Sequence, residues 1–79
     1  SPNPARSETR ISLEGKVGQI AYLSLFDLSG KLMGKEMFVL NSNGTNYHNL
    51  NLSNYNSQII LIKIECENKT SISKLIIYH

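Results

Sequence analysis

The chain has 79 residues, a formal net charge of +2 and 41% hydrophobic residues. That length makes one domain whose core removes only somewhat more than ~60% of the unfolded surface from water, enough for a thin sandwich but little to line a deep catalytic cleft. The eight Lys and Arg residues are spread from Arg6 to Lys74 without the dense basic stripe that nucleic-acid binding uses, and Arg6 with Arg10 reads as a solvated edge.

In chain order, Ser1-Pro2-Asn3-Pro4 is a breaker cluster that fixes two φ angles and pushes the residues before each proline away from helix. Residues 1–5 therefore read as the end of a linker, and residues 6–79 as the domain. With Ser rather than Met first, the chain is expected to be a processed or cloned fragment, and if its parent is exported the export signal is expected upstream. Only two alanines occur while β-branched and aromatic residues are frequent, which disfavours helix throughout.

Arg10–Leu13 is a short first strand ended by Glu14-Gly15-Lys16. Gln19–Phe26 follows, with Ala21, Leu23 and Leu25 on one side and Tyr22, Ser24 and Phe26 on the other. Asp27-Leu28-Ser29-Gly30-Lys31 suits a hairpin loop: the aspartate bonds the backbone two residues on and the glycine adopts positive φ. Leu32–Leu40 is the third strand, with Gly34 a candidate bulge, and Asn41-Ser42-Asn43-Gly44 a turn.

Tyr47–Leu52 alternates, with Leu50 and Leu52 inward, and Ser53–Ser57 is a loop anchored by Tyr55. Gln58–Cys66 alternates most clearly: Ile60, Ile62, Ile64 and Cys66 face one way, Leu61, Lys63 and Glu65 the other, as in a half-buried antiparallel strand. Glu67-Asn68-Lys69-Thr70 turns into a last strand, Ser71–Tyr78. About six or seven short strands at this spacing predict an all-β fold, an Ig-like antiparallel β-sandwich. The longest apolar runs, such as Ile59–Ile62, fall far short of the ~20 residues of a membrane helix, so the domain reads as soluble, with no membrane insertion.

Candidates for chemistry are few. The one aspartate, Asp27, has a structural role in its turn. Glu65 and Glu67 are expected to share a solvated strand face rather than to form a catalytic pair. Cys66 is the lone cysteine, so there is no internal disulfide and no Cys-x-x-Cys motif; on the core side it is a small hydrophobe. His48 and His79 lack metal-site spacing, and neither a phosphate cradle nor a nucleophile elbow is present. No cofactor, metal or catalytic residue is expected. A carbohydrate-binding, adhesion or spacer module is the alternative, but sugar platforms favour flat exposed Trp. The chain has no Trp, and Tyr22, Tyr47, Tyr55 and Tyr78 are dispersed. Asn43-Gly44-Thr45, Asn51-Leu52-Ser53 and Asn68-Lys69-Thr70 fit the glycosylation pattern, with chance the default in so asparagine-rich a chain.

Taken in order, the landmarks Pro2-Asn3-Pro4, Asp27-Leu28-Ser29-Gly30-Lys31-Leu32-Met33, Asn43-Gly44-Thr45, Asn49-Leu50-Asn51-Leu52-Ser53 and Lys74-Leu75-Ile76-Ile77-Tyr78-His79 resemble the C-terminal sorting domain, type A, of proteins exported by the type IX (Por) secretion system. The resemblance spans the whole chain. Met33 stands where that family has Val, and Gln58-Ile59-Ile60 where it has Gly-x-Tyr. The resemblance implies a non-enzymatic tag on an N-terminal passenger domain, carried through the periplasm to the outer-membrane translocon. It further implies removal by a surface sortase-like peptidase, with the passenger left on the cell surface or released outside the cell. Lys74–His79 and the Asp27–Lys31 hairpin, including Gly30, are the expected recognition surface, the last strand offering an edge to a partner sheet.

Overall fold

The alternation around Ile60, Ile62 and Ile64 becomes a nine-residue strand, Gln58–Cys66, with Ile60, Ile62, Ile64 and Cys66 buried and the other residues half covered. In the computed structural model, which describes residues 7–56 and 58–78, six strands follow one another. They are β1 (Glu8–Gly15), β2 (Ile20–Asp27), β3 (Leu32–Val39), β4 (Gly44–Asn51), β5 (Gln58–Cys66) and β6 (Lys69–Ile77). No helix occurs among the described residues.

Strands β1 and β4 form one antiparallel sheet, and a second sheet runs in the order β3-β2-β5-β6. Stacked, they make an antiparallel β-sandwich consistent with an Ig-like fold. Three strands extend beyond their apolar stretches because pairing carries them further. Every residue of β1 has a partner in β4, from Glu8 opposite Asn51 to Gly15 opposite Gly44. Likewise β6 begins at Lys69 because that residue faces Cys66 across the hairpin.

The core lies between the sheets. Ile11 and Leu50 come from the small sheet, and Leu23, Leu25, Ile60, Ile62, Leu75 and Ile77 from the large one. Burying each contributes about 1.5–3 kcal/mol. Ala21, Leu40 and Cys66 form a second cluster, where the thiol serves as a small apolar group. In β3 the register slips by one residue: Leu25 faces Gly34 but Phe26 faces Leu32. The extra residue, Met33, packs against the core. A Cβ at neighbouring Gly34 would lie 2.6 Å from the Tyr55 hydroxyl oxygen, so glycine here makes room for the Tyr55 side chain, which anchors its loop on the core.

Two polar devices hold the sandwich together. His48 of β4 stacks on Phe38 of β3, with ring centroids 4.1 Å apart and planes 3° from parallel, and its Nε2 lies 2.8 Å from Glu36 Oε1. This joins the small sheet to the outer strand of the large one. Asn46, buried, ties down the β3–β4 turn: its Oδ1 accepts from the Asn41 and Ser42 N–H groups at 3.0 and 3.1 Å, and its Nδ2 donates to the Ser42 and Gly44 carbonyls at 3.0 and 3.2 Å.

One sequence expectation is corrected. Glu65 and Glu67 do not share a strand face, because β5 ends at Cys66 and Glu67 sits in the following turn at φ 55°. There its carboxylate accepts from Gln19 Nε2 at 3.3 Å, while Glu65 lies 3.7 Å from the Lys63 ammonium.

Candidate recognition surface

The Asp27–Lys31 segment closes the β2–β3 hairpin around a single carboxylate oxygen. Asp27 Oδ1 accepts from the Ser29 hydroxyl at 2.6 Å and from the Ser29 and Lys31 N–H groups, each at 2.9 Å. The Ser29 hydroxyl first, then the Lys31 and Ser29 N–H groups, hold this carboxyl below its usual range, since each bond favours the charged form. Gly30 takes φ 91°, and its N–H donates to the Asp27 carbonyl at 3.0 Å. The aspartate is thus occupied in shaping the loop, which leaves Leu28 and Lys31 exposed.

Burial alternates at the end of β6. Leu75 and Ile77 are core residues, 4% and 2% exposed, whereas Lys74, Ile76 and Tyr78 are exposed. The hairpin and the end of β6 meet at one end of the large sheet: Asp27 faces Ile60, and Ile60 faces Leu75. One strand, β5, separates them, a span of about 10 Å at ~4.8 Å per strand. Pro2, Asn3, Pro4 and His79, and residues 1–5 read as linker, lie outside the described residues.

The large sheet also presents a feature not anticipated from the sequence. Its outer face is apolar in rows. Nearest the hairpin, Leu32, Phe26 and Leu61 stand side by side on β3, β2 and β5, with Ile59 and Ile76 beside them. At the far end, Met37 and Val39 on β3 face Tyr22 and Ile20 on β2, while β5 and β6 present Glu65 and Thr70 there. Between them runs a polar row, Lys35, Ser24 and Lys63, with Ile72 at its β6 end. Met37, Val39 and Ile72 are 64%, 60% and 66% exposed. The outer face of the small sheet is the opposite, formed by Arg10, Ser12 and Glu14 with Thr45, Tyr47 and Asn49. There Arg10 lies 4.7 Å over the Tyr47 ring, and the Thr45 hydroxyl donates to Glu14 at 3.0 Å.

The tyrosines form no common platform. Tyr22 and Tyr47 stand on opposite outer faces, Tyr55 lies against the core, and Tyr78 follows β6. An open groove separates β1 from β6, lined by Thr9, Ser12, Ser71 and Ser73 over Ile62 and Ile64. Arg10 and Lys74 also line it, so it brings hydroxyl groups together with two cations and with no described carboxylate. Among the described residues no group of three or more His, Cys, Asp or Glu comes together to hold a metal.

No curated protein gives a significant match to the chain, and no solved structure does so either. A family model does: that of the secretion system C-terminal sorting domain matches residues 2–78. The matched residues take in Pro2-Asn3-Pro4, the Asp27–Lys31 hairpin and the end of β6. The chain belongs to the family of type IX secretion system C-terminal sorting domains, the signals that direct the export of the proteins carrying them.

Proposed function

We infer that this domain carries an N-terminal passenger through the periplasm to the outer-membrane type IX translocon. A surface sortase-like peptidase then removes it near residues 1–5, and the passenger stays on the cell surface or is released. The domain performs no reaction of its own. Its yield is location, delivered by the hairpin of Asp27, Gly30 and Lys31 together with the outward side chains of Lys74, Ile76 and Tyr78. The observation that carries this reading is that two sequence motifs more than forty positions apart come together at one end of one sheet. A single partner surface can engage both.

The test is secretion of a fluorescent reporter bearing an export signal and fused to residues 1–79, in a host with a working type IX system and in its translocon deletion. Export in the first and periplasmic retention in the second is the expected result. Retention of a folded fusion in both hosts would refute the assignment. Deleting residues 74–79 would take Leu75 and Ile77 out of the core, so loss of export would not separate recognition from folding. Lys74→Glu combined with Ile76→Asp leaves the buried residues in place. A folded variant exported at the parental level would remove the end of β6 from the recognition surface.

A further inference from the structure

We propose that the outer face of the four-stranded sheet is a docking surface for a protein component of the secretion machinery, one that presents an acidic band between two apolar ones. This rests on the sorting assignment and extends it beyond the hairpin end to the whole face. A soluble two-sheet sandwich needs apolar side chains only between its sheets, with polar residues alternating outward, and the small sheet obeys that rule. The large sheet does not. At ~4.8 Å per strand and ~3.4 Å per residue its face spans roughly 500 Å² in projection, and apolar rows occupy most of it. Apolar side chains gathered on one exposed face with polar residues beside them commonly mark an interaction site.

The charges select the occupant. Lys35 on the edge strand β3 and Lys63 on the inner strand β5 stand two strands apart in the row that crosses the middle of the face, with Phe26 and Leu61 on one side of it and Tyr22 and Met37 on the other. Lys74 adds a third ammonium on the hairpin side, and the one carboxylate of the face, Glu65, is set against Lys63 at 3.7 Å. A second copy stacked face to face about a two-fold axis would lay this cationic row on itself, burying like charges together. A membrane surface suits cations at the rim of an apolar patch, where they reach headgroups while the apolar centre enters the acyl boundary. Here Lys63 stands on an inner strand, inside the face and between the apolar patches, so the face lacks an apolar centre that could enter the acyl boundary. A protein surface with carboxylates aligned between two apolar strips satisfies all three rows at once.

The experiment uses the reporter fused to residues 1–79 and three variants whose folding is verified by circular dichroism and thermal unfolding. Met37→Asp/Val39→Asp places charge on the apolar row far from the hairpin, Lys35→Glu/Lys63→Glu reverses the central row, and Asn49→Asp alters the polar face of the small sheet. The expected result is export of the unsubstituted fusion and of Asn49→Asp, with at least an about tenfold loss for each of the other two, the scale on which a central interface residue acts. The chain itself is expected to sediment as a monomer at high micromolar concentration and to stay free of vesicles of phosphatidylethanolamine and phosphatidylglycerol. Full export of either face variant overturns the proposal. So does a dimer that Met37→Asp/Val39→Asp dissociates, which makes a second copy the occupant, or vesicle binding that the same variant abolishes, which makes it a membrane. Failure of the unsubstituted fusion to leave the cell refutes the sorting assignment instead, and is distinguishable because it precedes any variant.

Discussion

The contact between His48 and β3 is the polar joint between the two sheets, and replacing His48 with Ala measures what it contributes. Stacking on Phe38 at 4.1 Å is worth about 0.5–1.5 kcal/mol beyond burial. The hydrogen bond to Glu36 at 2.8 Å has side chains 23% and 43% exposed, which places it near the surface-pair range of about 0.2–1 kcal/mol. Together these give a destabilisation of about 0.7–2.5 kcal/mol for His48→Ala. With a urea m-value near ~1 kcal/mol/M for so small a domain, the midpoint falls by about 0.7–2.5 M. Glu36→Ala removes only the hydrogen bond and costs about 0.2–1 kcal/mol. The double variant is less destabilised than the sum, because the two residues are in contact. His48→Phe keeps a ring over Phe38 and loses the bond to Glu36, so its midpoint falls between those of the parent and His48→Ala. The reasoning fails if His48→Phe is as unstable as His48→Ala, or if the double-variant cycle shows strict additivity.

Other perturbations follow from single contacts. Asn46→Ala leaves the part-buried N–H groups of Asn41 and Ser42 without their side-chain acceptor and is expected to cost about 1–3 kcal/mol by chemical denaturation. Leu23→Ala, at a fully buried position, should cost about 2–5 kcal/mol; an unchanged midpoint would contradict the core assignment. Gly34→Ala drives the Tyr55 hydroxyl out of its place, at a cost of about 1–3 kcal/mol if the neighbours cannot give way; a midpoint equal to the parent's would show that the loop shifts freely. For Asp27 the folded-state carboxyl lies below its ordinary value of 3.8. Its contribution is therefore complete above that value and disappears as the pH falls through the lower folded-state value. Thermal unfolding of Asp27→Asn against pH should show a smaller loss of stability below about pH 4 than the parent, and identical profiles would refute this role.

What could be read from the sequence follows from where one physical signal dominates. The period of two in Gln58–Cys66 specifies both the strand and its inward face, while in β2 it groups Ala21, Leu23 and Leu25 on one side, which the structure shows to be the buried one. The Asp27–Gly30 spacing gave the hairpin, because an aspartate and a glycine at these positions have few other uses. Strand limits were less legible: β1 and β4 run several residues past their apolar stretches because pairing, a non-local property, sets their ends. In β6, Ile72 faces out while Ser71 and Ser73 line a groove. Apolar content alone would put Ile72 inside, but the two-stranded sheet is narrower than the four-stranded one and does not cover that part of the strand. The Glu36–His48 contact joins different sheets, and no local pattern announces it. Asn46 stands among many asparagines, and only its burial separates it from them.

The same comparison explains why the apolar outer face escaped a strand-by-strand reading. In β5 the side chains of Ile59 and Leu61 sit opposite in direction to Ile60 and Ile62, so the first half of the strand is apolar on both sides. Strands of that kind belong to sheets covered on both faces, yet in this chain only one face is covered. Polar residues at those positions would stabilise the isolated domain against edge and face association, and the outer face of the small sheet shows that such residues fit this fold. Packing within the sandwich does not require the apolar ones, since none of Ile20, Leu32, Met37, Val39, Ile72 or Ile76 is buried in it. The residues between the sheets answer to folding. Those on the outer face of β2, β3, β5 and β6 answer to whatever covers that face, and for a domain whose work is to be recognised, that is the machinery that recognises it.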